Sequence, residues 1–160
     1  MENKPDRVIV HHTADAFGGP QLDRVNHAHK LREFPYSALG WYVGYHYLIE
    51  KNGKIMQTRR DDEIGAHTIG ANATSIGIAL AGNFSKEHPT PEQEGSLAEL
   101  LGQLVDTYKI PSIRIIPHRW ESATECPGTL LPDDWARRLY IGHKLSWIKK
   151  ILLAILAKIS

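Results

Sequence analysis

Two segments near opposite ends of the chain hold residues able to do chemistry. Val8-Ile9-Val10-His11-His12-Thr13-Ala14 is an apolar, β-branched run that ends in a pair of histidines. His118-Arg119-Trp120-Glu121-Ser122-Ala123-Thr124-Glu125-Cys126-Pro127-Gly128 supplies another histidine and, eight residues later, the only cysteine. Two imidazoles and one thiolate fall one ligand short of a closed tetrahedral zinc site, and a hydrolytic zinc uses an open fourth position to hold water. His11 sits where an apolar strand meets a polar loop, and His118 follows Ile115-Ile116-Pro117 in the same way. Adjacent strand residues point to opposite faces, so only one of His11 and His12 can face such a site. Spacing does not choose between them, and it leaves open the alternative of three unrelated side chains. His27 and His29, two apart on a helix, share no face and read as structural or surface residues. His88 and His143 read as members of polar loops.

These residues need a scaffold. At 160 residues the chain is long enough for one domain with a real core. A single cysteine excludes an internal disulfide, so nothing requires an oxidising compartment. The segment before the first strand is polar and lacks an apolar h-region, so no secretion signal is expected. Arg7 to His12 and Ser75 to Gly82 read as buried strands. Tyr45 to Glu50 and Ile55 to Thr58 flank Asn52-Gly53 and read as a hairpin whose two turn positions both need positive φ. Gln21 to Phe34 has helical spacing. Thr90-Pro91-Glu92-Gln93 has the form of a capping box opening a helix that runs to about Tyr108. Arg114 to Pro117 is a short strand leading into His118. Strands alternating with helices predict a single α/β domain with a central mixed β-sheet flanked by helices.

The tail differs from the body. Residues 1–134 carry 13 Lys and Arg against 18 Asp and Glu, whereas residues 135–160 carry six cations and no acid. From about Lys144, Leu145, Ile148, Ile151, Leu152, Ile155, Leu156 and Ile159 fall on one helical face, with Lys149, Lys150 and Lys158 off it. A catalytic body over residues 1–140 and a cationic amphipathic helix over 141–160 are therefore expected. The apolar run Ile151 to Ala157 is too short to span a bilayer, so the tail is expected to meet anionic membrane or lipopolysaccharide at the interface. Docking on the body or pairing between chains is the alternative. No nucleic-acid partner is expected.

The ordered set of motifs resembles the zinc-dependent N-acetylmuramoyl-L-alanine amidases of the type 2 amidase and peptidoglycan-recognition-protein superfamily, with phage endolysins closest in size. The segments that carry the resemblance are Val8 to Ala14, Gly44-Tyr45-His46-Tyr47-Leu48-Ile49, Gly65-Ala66-His67, Asn72 to Gly77, Gly82-Asn83-Phe84, and Pro117-His118-Arg119 through Cys126-Pro127-Gly128. They span about residues 6–132. The resemblance implies one Zn2+ per chain on His11, His118 and Cys126, so it selects the first histidine of the pair. It implies Tyr45 and Thr124 as catalytic groups, with Thr124 at a position that is lysine in some phage members. It implies His46, His67 and Asn72 as contacts to the sugar or peptide stem. The implied activity is cleavage of the amide between N-acetylmuramic acid and L-alanine, by an endolysin that stays in the host cytoplasm until lysis. A cytoplasmic muropeptide-recycling amidase and a non-catalytic peptidoglycan-binding module are the alternatives. Retained Cys126 and Tyr45 argue against the second.

Overall fold

The structure is a computed structural model that describes residues 2–159, with side chains described as far as residue 157. Val8, Ile9 and Val10 are buried on both faces, as an inner strand of an α/β sheet must be. The strand they form, β1 (Arg7–His12), accordingly pairs in parallel with a neighbour on each side. Those neighbours are β4 (Ser75–Leu80) and β5 (Ile115–Pro117). Beyond β4 lie β2 (Tyr47–Ile49), also parallel, and β3 (Ile55–Gln57), antiparallel to β2. The order β3-β2-β4-β1-β5 is the mixed sheet that the alternating elements predict.

Strand parity divides the molecule. Val8 and Val10 point to the face covered by α2 (Pro91–Tyr108), where Leu97, Leu100, Leu101 and Leu104 close the main core. Ile9 points to the opposite face with Ala71 and Ile116. By the same alternation His12 follows Val8 and Val10, and His11 follows Ile9. The helix α2 begins where expected: Gln93 N–H donates to Thr90 Oγ1 at 3.1 Å, and Thr90 N–H donates to Gln93 Oε1 at 3.1 Å. Both halves of the capping box are thus present. The helix α1 (Leu22–Leu31) has N–H groups at its N-terminus satisfied from outside: Glu50 accepts from Gln21 and Leu22 N–H, each at 2.9 Å.

Three expectations are corrected. At the hairpin only Gly53 takes positive φ (+81°) and Asn52 does not. Gly53 N–H donates to Glu50 O, and Glu50 N–H donates to Lys54 O. The connection is therefore a three-residue loop with a left-handed glycine rather than a two-residue turn. The C-terminal helix α3 starts at Trp135, well before Lys144, and runs unbroken to Ile159 across residues 140 and 141. Its first turns bury Ala136 and Tyr140 in the main core, with Trp135 and Leu139 partly covered, and from Ile141 to Ala157 every residue is exposed. His143 consequently lies on a helix, not in a loop.

Candidate metal centre

The pairing of β1 with β5 sets Val10 opposite Pro117, so the next residue of each strand, His11 and His118, emerges side by side. Their ring centroids are 4.3 Å apart. A polar loop then returns Cys126 to them. Arg119 fastens that loop: its backbone N–H donates to Cys126 O at 2.9 Å, and its guanidinium donates to Glu125 O, Gly128 O and Leu131 O. Thr124 Oγ1 accepts from Cys126 N–H at 3.2 Å, so an exposed hydroxyl two residues upstream shapes the cysteine turn. Cys126 Sγ accepts from His12 N–H at 3.4 Å and lies 3.8 Å from His11 Nδ1. His12 therefore serves the cluster through its backbone. Its ring turns to the other face, where Nδ1 accepts from Phe84 N–H at 3.1 Å.

One ligand atom from each of His11, His118 and Cys126 lies within 4.8 Å of the others. Ordinary Zn–N and Zn–S lengths at a tetrahedral ion would separate a nitrogen and a sulfur by about 3.6 Å, close to the 3.8 Å between Sγ and Nδ1. The donor set is also chemically apt. His11 is 1% exposed, and burial, with the neighbouring imidazoles, holds its pKa well below the usual histidine value. Burial lowers His118 as well. Both rings are therefore neutral, as ligands must be. Burial pushes the Cys126 thiol up to about 11, so a cation is what would draw out its proton.

His67 stands behind His11. His11 Nε2 and His67 Nδ1 are 3.1 Å apart, and Thr68 Oγ1 is 3.0 Å from the same Nδ1. The His67 ring lies flat over backbone: a Cβ on Gly77 would come 2.6 Å from it, and one on Gly65 2.5 Å. Its Nε2 is buried with no hydrogen-bond partner among the described residues. Asn72 Oδ1 accepts from the backbone N–H of both His67 and Thr68 at 2.9 and 2.8 Å, which fixes the loop carrying the ring. His67 and Asn72 thus hold His11 in place.

The expected substrate contact by His46 is corrected. His46 is 0% exposed, its Nδ1 accepts from Gly77 N–H at 3.0 Å, and its Nε2 lies 2.9 Å from Glu63 O. With both nitrogens engaged by backbone, it ties two loops to β4 and presents nothing to a ligand.

Tyr45 stands 5.1 Å from the His11 ring, centroid to centroid, and burial raises its phenol pKa above the ordinary value. It is a protonated donor at neutral pH. It also lines a groove of about 360 Å³ with Thr13, Asp15, Arg24, His27, His29 and Arg32. The α1 side of this groove was missed from sequence. Arg24 and Ala28, four apart, share one face of α1, and Arg32 caps its C-terminus; that spacing was the available signal. His29 fixes the groove floor by accepting from Gly44 N–H at 3.0 Å and stacking on Phe34.

Comparison with known proteins places this geometry. The sequence profile of the family described as N-acetylmuramoyl-L-alanine amidase matches residues 1–129. Peptidoglycan-recognition protein SD of Drosophila simulans is 35% identical over 133 residues, which are 82% of this chain and 72% of that protein. Among solved structures, the N-acetylmuramoyl-L-alanine amidase LysC from Clostridium intestinale URNW superposes with a TM-score of 0.70 at 36% identity, covering 81% of this chain and 80% of that one. The Ph2119 endolysin from Thermus scotoductus MAT2119 bacteriophage Ph2119 gives a TM-score of 0.69 at 26% identity, covering 86% of each chain. The matched profile ends before α3 begins.

Proposed function

The chain belongs to the N-acetylmuramoyl-L-alanine amidase family, and from that premise we propose that it is a zinc hydrolase of peptidoglycan. The bond cut is the amide between N-acetylmuramic acid and L-alanine. The protein acts as a phage-type endolysin, held in the host cytoplasm until lysis. The observation that carries this reading is the convergence of His11, His118 and Cys126 beside the ring of the protonated Tyr45. The named amidase and endolysin neighbours support it.

Two neutral imidazoles and a thiolate would hold the ion. When bound, it supplies Lewis acidity and brings the pKa of water from about 15.7 to about 7. Tyr45, with its ring 5.1 Å from that of His11, would donate its hydroxyl to the amide carbonyl oxygen as negative charge develops there. Thr124 shapes the Cys126 turn by accepting from its N–H, which leaves its own hydroxyl proton to assist. Arg24 and Arg32 line the adjoining groove and offer cationic partners to stem-peptide carboxylates. Asn72 offers its amide NH2 to the sugar or stem.

Peptidoglycan-recognition relatives favour a second reading, a binding module without catalysis. Retained Cys126 supports the hydrolase instead. A muropeptide-recycling amidase would share the site and differ in accepting small soluble fragments. The deciding experiment is metal content measured with product mass spectrometry on purified peptidoglycan. One zinc per chain with release of free L-alanyl stem peptides is expected. A zinc-loaded protein that binds sacculi without releasing stems would make it a recognition module, and preference for soluble muropeptides over sacculi would make it a recycling enzyme.

A further inference from the structure

The helix α3 carries two apolar faces rather than one. At about 100° per residue, Trp135, Ala136, Leu139 and Tyr140 share the side that packs on α2 and β5. Ile141, Leu145, Ile148, Leu152 and Ile155 share a second side, nearly opposite the first, with Ile151 at its edge and Lys144 among them. The six apolar residues, in chain order, are 41%, 62%, 40%, 38%, 55% and 50% exposed. Because the helix is unbroken from Trp135 to Ile159, seating the first face aims the second away from the body. Large apolar side chains so arrayed in water mark an interaction surface.

Charge selects the occupant. Residues 135–160 contain Arg137, Arg138, Lys144, Lys149, Lys150 and Lys158 and neither Asp nor Glu. Two copies packed face to face would set six cations against six with no carboxylate from either tail. An anionic lipid surface provides the missing counter-charge along with an apolar layer to receive the side chains. No helix among the described residues is long and apolar enough to cross a membrane, so the helix lies along the surface instead. We propose that the outer face of α3 docks on an anionic phospholipid bilayer, apolar stripe inward and Lys149 and Lys150 among the headgroups. This contact is separate from the hydrolytic site and stands or falls independently of it.

The test is co-sedimentation of the full-length protein with vesicles of phosphatidylglycerol and phosphatidylcholine, and of phosphatidylcholine alone. Two variants are compared with the parent: Ile148→Gln/Leu152→Gln/Ile155→Gln, and Lys149→Gln/Lys150→Gln. Circular dichroism confirms folding, and every altered residue is exposed and outside the metal cluster. Partitioning at least tenfold stronger into anionic than neutral vesicles is expected, weakening with added salt. The triple variant loses at least tenfold, and each lysine removed lowers partitioning about fivefold. Absence of binding, equal binding to neutral vesicles, or binding unchanged in the triple variant overturns the proposal. So does a stable dimer in equilibrium sedimentation that the triple variant abolishes, which would make the face a contact between copies.

Discussion

Replacing His67 by Phe isolates what supports the metal centre. The phenyl ring keeps a flat group in the slot over Gly65 and Gly77 and deletes the acceptor 3.1 Å from His11 Nε2. His11 is 1% exposed, so water has no path to replace the lost partner. Leaving a buried donor unpaired costs about 1–3 kcal/mol. Loss of a partner that orients a metal ligand lowers metal affinity by roughly 10- to 100-fold, or about 1.4–2.8 kcal/mol. The two figures agree. His67 itself has a buried, unpartnered Nε2, and Phe removes that group. That removal offsets the unpaired His11 donor, so the stability of the metal-free variant should fall by less than its zinc affinity does. His67→Asn keeps an amide oxygen near the place of Nδ1 and should recover much of the affinity. Chelator competition measures zinc binding, and calorimetry of the chelated protein measures stability. Zinc affinity within twofold of the parent in His67→Phe would refute the assignment, as would a drop in metal-free stability large enough to account for the loss.

Other outcomes follow from the same geometry. His11→Ala and Cys126→Ser should lose zinc and cell-wall hydrolysis together; metal analysis beside a turbidity assay on purified peptidoglycan checks this, and a metal-free His11→Ala protein with full activity would end the zinc reading. Tyr45→Phe should retain zinc and lose roughly 100- to 1,000-fold in rate, read as kcat on a soluble muropeptide at saturating zinc. Burial holds the ring pKa of His12 and of His29 at about 4 in the folded chain, against about 6.5 unfolded. The unfolded chain thus binds more protons between those values, so stability is full above about pH 6.5 and declines as pH falls toward 4. Each ring differs by at most one proton between the two states, so its slope stays below about 1.4 kcal/mol per pH unit. Calorimetry of the metal-free protein follows the decline, and a constant Tm from pH 7 to pH 4.5 would contradict it.

What the sequence disclosed was what short-range physics determines. The run Arg7 to His12 is apolar enough to be nothing but an inner strand, and Thr90-Pro91-Glu92-Gln93 writes its own cap; both appear at the expected residues. The choice between His11 and His12 was not local. It depends on which face α2 covers, and only the packed sheet shows Val8 and Val10 against that helix. The resemblance implied His46 as a substrate contact, yet its ring nitrogens are taken up by the backbone of Gly77 and Glu63. The start of α3 was hidden because its inner and outer apolar faces succeed one another along the sequence and no single stripe runs its length. The Asn52-Gly53 pair marked a turn correctly and its type incorrectly, since one more residue relaxes the need for a left-handed asparagine.

The handover on α3 from an inner to an outer apolar face has a practical side. From Ile141 to Ala157 every residue of that rod is exposed, with His143, Lys144 and Trp147 still beside α2, and Tyr140 is the last residue seated in the core. The point just after it is a natural splice junction. Foreign helices grafted there in phase would inherit a rigid mount, and the amidase-family body could be readdressed to new surfaces without redesigning its interior.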